Sequence, residues 1–396
     1  MRSPIARLIG ARSLNTFGRQ LIGTTVYWEI YHRTRDNLIV AGLGLAQVIP
    51  VVLLFVWAGS LVDRSDRRTL STIAASATGA IGVSLALASW FDAPPAVYLA
   101  IMLVQGCVTS VHAPASSSLI PLIIAREDLE RTNRIGSSLQ ELAAILGPAL
   151  AGLALIAVAP AYVYAFVAIT GVASAIMYRA LPAPRATPTT TPNARKDWRT
   201  GLRFIVRSPL LLPALTLDMF AVLFAGVNAL LPAFAEHVLH TDAFGYGLLR
   251  SAQSAGAVIM AIVGGRLRPW QRPGRVLLIV VALFGLATIG FGFSRSLPLS
   301  VALLVVCGAL DNISVVIRLT LEQMVVPDEI RGRVAAVHYV FIGMSNELGA
   351  AESGAVAWLI GTVPAIVAGG AIATVVVGFV AVRWRALAAM PPLSQL

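Results

Sequence analysis

The sequence predicts an all-α integral membrane protein with twelve transmembrane helices in two pseudo-symmetric six-helix bundles. Three observations carry that expectation. Of the 396 residues, 57% are hydrophobic and only 12% are charged, about half the charged share of an ordinary soluble domain. The apolar residues fall into long runs that approach the ~20 residues a bilayer-crossing helix needs. Lys and Arg collect in alternate turns between those runs.

In chain order, the runs of the first half lie near 6–31, 38–62, 69–90, 95–123, 133–158 and 160–181. Those of the second half lie near 209–235, 243–267, 275–294, 297–321, 333–358 and 362–383. Between them, 182–208 is rich in Pro, Thr and Arg, which suits an aqueous linker. Within it, "DWRTGLRFIVR" has the pattern of a short amphipathic helix lying on a membrane surface. The expected organisation is a first bundle over 1–181, a linker over 182–208 and a second bundle over 209–396. The opening "MRSPIARLIGARSLN" has no long apolar stretch followed by a small-residue cleavage site, so the first helix is expected to stay as an anchor.

Charge sets the topology. The termini and the even-numbered turns hold 25 of the 30 Lys and Arg, the odd-numbered turns hold Arg33, Arg35 and Arg295, and Arg19 and Arg250 lie within helices. By the positive-inside rule both termini are expected to be cytoplasmic, in a multi-pass protein of the cell inner (plasma) membrane. A net charge of +11 spread over short turns is a topology signal and does not form the single basic face a nucleic-acid binder presents. Cys107 and Cys307 sit in apolar runs without disulfide spacing and read as small packing residues.

The halves repeat. "LGPALAG" (146–152) and "LGAAESG" (348–354) match at an offset of 202, and Cys107 and Cys307, like "REDLERTNR" and "PDEIRGRV", fall near the same offset. A half-length repeat suggests two bundles related by an axis along the membrane normal.

The turn at 58–70, "AGSLVDRSDRRTL", concentrates charge between the second and third runs. Gly59 permits close backbone approach, Asp63 offers an acceptor, and Arg64, Arg67 and Arg68 supply partners and fix topology. The pattern G-x-x-x-D-R-x-x-R-R resembles the signature of the major facilitator superfamily, departing from it at Asp66, where a second Gly is usual. The second half keeps glycines and arginines in "GGRLRPWQRPGR" but lacks the Asp. The resemblance implies a latch that holds one conformation closed. "ILGPALAG", with Gly147, Pro148 and Gly152, is similar to the superfamily's antiporter motif. "VVPDEIRGRVAAV" and "SNELGAAESG" look like the drug- and siderophore-exporter branch that includes macrolide efflux proteins and the enterobactin exporter.

Polar groups inside a bilayer are costly and mark a hydrated cavity or an internal ion pair. In the resembling fold the first, fourth, seventh and tenth helices line the cavity. Substrate-binding candidates are accordingly Asn15, Arg19 and Gln20 in the first helix, His112 in the fourth, Asn228 in the seventh and Asn312 in the tenth. Arg19 suits a bidentate grip on an anionic group, or equally a structural pairing. Proton-coupling candidates are Glu29, Asp218, Asp311, Glu141 and Glu347, with Glu352, Gln140, Arg250 and Gln253 as further polar contacts. A carboxyl that gains and loses a proton as access alternates is the minimum hardware for antiport.

"EHVLHTD" places Glu236, His237, His240 and Asp242 together but lacks a full ligand pattern, so no metal is expected. No phosphate-binding Gly-rich loop or nucleophile elbow occurs, which argues against ATP as the energy source, any cofactor and enzymatic activity. The expected function is export of small amphipathic molecules by proton antiport, from a monomer in lipid. A proton-coupled importer or facilitator of the same fold, and a non-transporting membrane sensor, remain alternatives at this stage.

Overall fold

The computed structural model describes residues 3–124, 126–182, 198–264 and 270–392. It is helical throughout, and the chain divides into two compact units, Met1–Thr190 with Thr241–Ser251 and Thr191–His240 with Ala252–Leu396. The first unit holds α1 (Ser3–Thr34), α2 (Asn37–Arg64), α3 (Arg67–Trp90), α4 (Pro95–Ser118), α5 (Ile120–Ile123), α6 (Arg126–Ala157) and α7 (Pro160–Arg179). The second holds α8 (Trp198–Arg207), α9 (Leu211–Ala225), α10 (Leu231–His237), most of α11 (Ala243–Gly264), α12 (Pro273–Phe293), α13 (Leu297–Val325), α14 (Asp328–Ile360), α15 (Thr362–Arg383) and α16 (Arg385–Ala388).

Local chemistry places the boundaries. Proline opens α4, α7, α12 and α13 in the first turn, where its missing N–H leaves nothing unsatisfied. Asp36 caps α2 by accepting from the Leu38 N–H at 2.8 Å, and Asp242 caps α11 by accepting from the Phe244 and Gly245 N–H groups at 3.1 Å. Each cap satisfies donors that the first helical turn leaves orphaned.

Among the described residues, nine helices are long and apolar enough to cross a membrane, or ten if α8 and α9, bent by 99°, are taken as one span. The expected twelve are therefore not reached on length and composition, for three physical reasons. α1 is 32 residues long but interrupted by Arg7, Arg12, Arg19 and Glu29. α14 is 33 residues long, yet Ser345, Asn346, Glu347 and Glu352 interrupt its apolar sequence near the middle. The seventh run breaks after Gly226 and restarts as α10, with Pro232 at its start. A proline there removes a donor and crowds the carbonyl four residues back, so one continuous helix is unfavourable.

The outer faces confirm the medium. Leu53, Phe91, Leu359, Val375 and Val382 are each at least 70% exposed, a surface suited to hydrocarbon and not to water. Small residues bring the helices together. A Cβ on Gly171 of α7 would lie 2.5 Å from the Gly79 Cα of α3, and one on Gly82 would lie 2.7 Å from the Ala168 nitrogen. Backbones in contact at such distances gain dispersion and exclude lipid.

The same partnerships recur in both units. α3 packs on α7 as α12 packs on α15, α1 on α6 as α9 on α14, and α1 on α7 as α9 on α15. The structure thus carries two copies of one helix-packing pattern. The core of the second copy runs through Leu217, Leu277, Phe284, Ile317, Leu321 and Val380.

Candidate functional site

In the second unit, buried charge converges on α9 and α13. Arg318 of α13 pairs with Asp218 of α9, with 3% and 8% of the two side chains exposed. Asp311 lies seven residues earlier, two turns along the same face of α13, within electrostatic reach of both Arg318 and Asp218. Asn312 follows it, half-buried. One turn beyond Arg318, the buried Glu322 makes a short hydrogen bond with Nδ1 of the buried His338 of α14.

In the first unit, Glu29 of α1 gathers four helices. Its Oε1 accepts from the Ser89 hydroxyl of α3 at 2.7 Å and the Tyr98 hydroxyl of α4 at 2.9 Å, and its Oε2 accepts from the Tyr164 hydroxyl of α7 at 2.8 Å. Arg33 stands 3.6 Å away and donates to the Tyr98 hydroxyl at 3.1 Å and the Ala93 carbonyl at 3.0 Å. A carboxyl group so surrounded cross-links its bundle.

Nearer the start of α1, Asn15 is buried and its Nδ2 has no partner. His112 of α4 is buried edge-on to Tyr178 of α7 at 5.8 Å, with Nε2 unpartnered. The guanidiniums of Arg12 and Arg19 are the charges that act on it. Gln20 fills the space left by Gly147 of α6, where a Cβ would lie 2.6 Å from the Gln20 Cβ. One turn on, a Cβ at Gly152 would lie 2.8 Å from Gly247 Cα at the start of α11. The antiporter-like motif, Pro148 included, is therefore a packing surface that serves α1 and α11 on adjacent turns. On that same stretch of α11, Arg250 stacks over Tyr27 at 5.3 Å and Tyr246 over Trp28 at 5.3 Å.

The charged turn is short. α2 ends at Arg64 and α3 begins at Arg67, and Ser65 and Asp66 both have extended, negative-φ backbones. No glycine is required there, so the departure at Asp66 is sterically free. Asp66 instead caps α3, accepting from the Arg68 and Thr69 N–H groups at 3.2 and 3.3 Å and from the Thr69 hydroxyl at 2.6 Å. Burial alone would raise its carboxyl, but hydrogen bonds from Thr69 and Arg68 and the Arg68 charge bring it below the ordinary carboxylate value. Arg68 donates to the Leu181 carbonyl beyond α7 at 2.8 Å, while Arg64 is exposed and Arg67 half-buried.

Several expected positions fall elsewhere. Asn228 lies exposed in the break between α9 and α10 and not within a helix, because Gly226 and Pro232 interrupt the span. Glu141 is exposed on α6, and Glu352 accepts from Ser353 at 3.3 Å. The side chains at Gly59, Asp63 and Glu347 lie outside the described residues, as does the linker over 183–197. No group of three or more potential metal ligands occurs among the described residues.

Arg318, Glu322 and His338 escape the sequence reading because they stand near the ends of apolar runs, where a charge reads as a turn signal. α13 carries that run four residues further, to Val325, and buries it. The spacing 311, 318, 322, one helical face, is the signal that could have found them.

The major facilitator superfamily model matches residues 8–350. The enterobactin exporter EntS of Shigella boydii serotype 4 (strain Sb227) is 27% identical over 330 residues, covering 82% of this chain and 78% of the exporter. That of Citrobacter koseri is 27% identical over 329 residues, with the same coverage. Among solved structures, a bacterial homolog of the human lysosomal transporter Spinster superposes with a TM-score of 0.72 at 14% identity, covering 96% of each chain. A D-xylose-proton symporter gives 0.73 at 12% identity over 95% of this chain and 96% of its own. The repeated helix pairs, the apolar outer faces and a family match over most of the length agree: the chain belongs to the major facilitator superfamily, a multi-pass membrane transporter and not an enzyme.

Proposed function

We propose that this transporter exports small amphipathic molecules of drug or siderophore type across the inner membrane in exchange for protons. The curated relatives named as enterobactin exporters support the direction and the substrate class. The concentration of Lys and Arg at the termini and even-numbered turns supports cytoplasmic termini in a lipid-embedded monomer.

The observation that carries proton coupling is the trio of buried Asp218 and Arg318 with the half-buried Asp311. One guanidinium against two carboxylates leaves a surplus negative charge in a low-dielectric setting, and a single proton removes it. The cycle then has three parts. Substrate enters from the cytoplasm or inner leaflet as the acid cluster releases its proton inward. The two bundles alternate access, and an external proton displaces the substrate. Arg318 and Asp218 set the charge, Asp311 carries the exchanging proton, and Asn312 stands beside it as a polar contact. Glu29, clamped by three hydroxyls and Arg33, holds the first bundle together.

Inverted membrane vesicles acidified inside by respiration test this reading. Iron-free enterobactin and ethidium, an anionic and a cationic probe, are offered outside. Accumulation of either that collapses with nigericin, and is lost in Asp311→Asn, is expected. Accumulation indifferent to nigericin would contradict proton exchange.

A further inference from the structure

The two units bury opposite kinds of polar group. The second buries acids that outnumber their single arginine at α9 and α13. The first, away from Glu29, buries donors. Arg12 of α1 makes no ion pair or hydrogen bond among the described residues. It lines a cavity of about 140 Å³ together with Leu8, Ile9, Thr132, Ser137 and Gln140. Thr132 of α6 is 3% exposed and its hydroxyl has no partner. On the adjoining faces of α1 and α4, the buried Asn15 Nδ2 and His112 Nε2 are also unpartnered.

A guanidinium held half-buried with no acid paired to it among the described residues is unfavourable, and each buried polar atom left unpaired adds to that cost. Such an arrangement is complete only when something brings the missing acceptor. We propose that this cavity binds an anionic oxygen group, a carboxylate or a phosphate, gripped by the Arg12 fork and the hydroxyls of Thr132 and Ser137. The planar guanidinium matches two oxygens of one group at once, and the apolar wall of Leu8 and Ile9 suits a ring or chain attached to it. A volume of about 140 Å³ is small beside the ~300–1,000 Å³ of a pocket for a whole drug-sized ligand. The cavity therefore takes one acidic arm of a larger cargo, or a single aromatic acid. The identification of that arm with cargo rests on the transport reading above. It assigns the anion to the first unit and the proton to the second.

Titration of the purified full-length protein with benzoate and with its uncharged counterpart benzamide, read by calorimetry, tests the site. Benzoate is expected to bind and benzamide not. Arg12→Gln should weaken benzoate by about tenfold or more, and Arg12→Lys and Thr132→Val by about threefold or more, since each loses one directed hydrogen bond. Where Arg12→Gln does not fold, the two milder variants carry the test. Equal binding of benzamide, or benzoate binding unchanged in these variants, overturns the proposal. Repeating the titration in phosphatidylglycerol and phosphatidylcholine nanodiscs separates the sources of the anion. Competition from phosphatidylglycerol alone assigns the site to a lipid headgroup, and equal binding in both assigns it to a soluble acid; both uphold an anion site. Because the titration needs no gradient, loss of charge selectivity refutes the site alone, whereas absence of proton-driven accumulation refutes the transport reading alone.

Discussion

Arg318 pairs with Asp218 in the interior of the second unit, within electrostatic reach of Asp311, with 3% of its side chain exposed. Removing it strands Asp218 in a setting where an uncompensated charge costs about 3–5 kcal/mol. Arg318→Ala should therefore lower the melting temperature in detergent markedly, at roughly 2–4 °C per kcal/mol for a unit of this size. The double variant Arg318→Ala/Asp218→Asn should recover most of that loss, because the stranded charge goes with it. A double variant no more stable than the single one would mean that Asp218 is not the principal partner. The sequence pointed to Asp218 and Asp311 as unusual, since acids in apolar runs are conspicuous. It hid Arg318, since an arginine near the end of a run looks like a turn residue until the helix is seen to continue to Val325.

At the scale of elements, the break between α2 and α3 shows a local rule replacing a family signature. Glycine is usual where Asp66 stands, yet the backbone at 66 has φ −64°, which any residue adopts. The carboxylate caps α3 instead. Asp66→Ala should destabilise by about 1 kcal/mol, and Asp66→Gly by a few tenths. Because the folded carboxyl lies below its ordinary value, the cap's contribution is complete above the ordinary carboxylate range and fades only as the pH falls beneath it. Melting curves of wild type and Asp66→Ala should thus differ by a constant amount from neutral to mildly acidic pH and converge only in stronger acid. Helix starts at Pro95, Pro160 and Pro273 were readable from the chain, as proline and apolar runs mark them. The division of the seventh run into α9 and α10 was not, because average hydropathy passes smoothly over Gly226 and Pro232 while hydrogen bonding does not.

Across the whole molecule, the repeat seen as matching heptapeptides 202 residues apart reappears as recurring helix partnerships in the two units. Small residues are where such a repeat survives best, because backbone contact tolerates no enlargement at positions such as Gly152 and Gly171. Among the described residues the polar interiors have diverged: donors without paired acids near Arg12 and His112, acids in surplus around Arg318. One-dimensional patterning shows that polar residues are present, but partnerships such as that of Glu29 with Ser89, Tyr98 and Tyr164 depend on three helices distant in sequence. The central claim is that the α9–α13 acid cluster exchanges protons for substrate. The most direct measurement follows the internal pH of proteoliposomes, with a trapped pH-sensitive dye, when substrate is added to wild type, Glu29→Gln and Asp311→Asn. The account predicts substrate-driven proton movement in wild type and in Glu29→Gln, the latter with a lower melting temperature, and none in Asp311→Asn. Proton movement that persists at the wild-type rate in Asp311→Asn would contradict it.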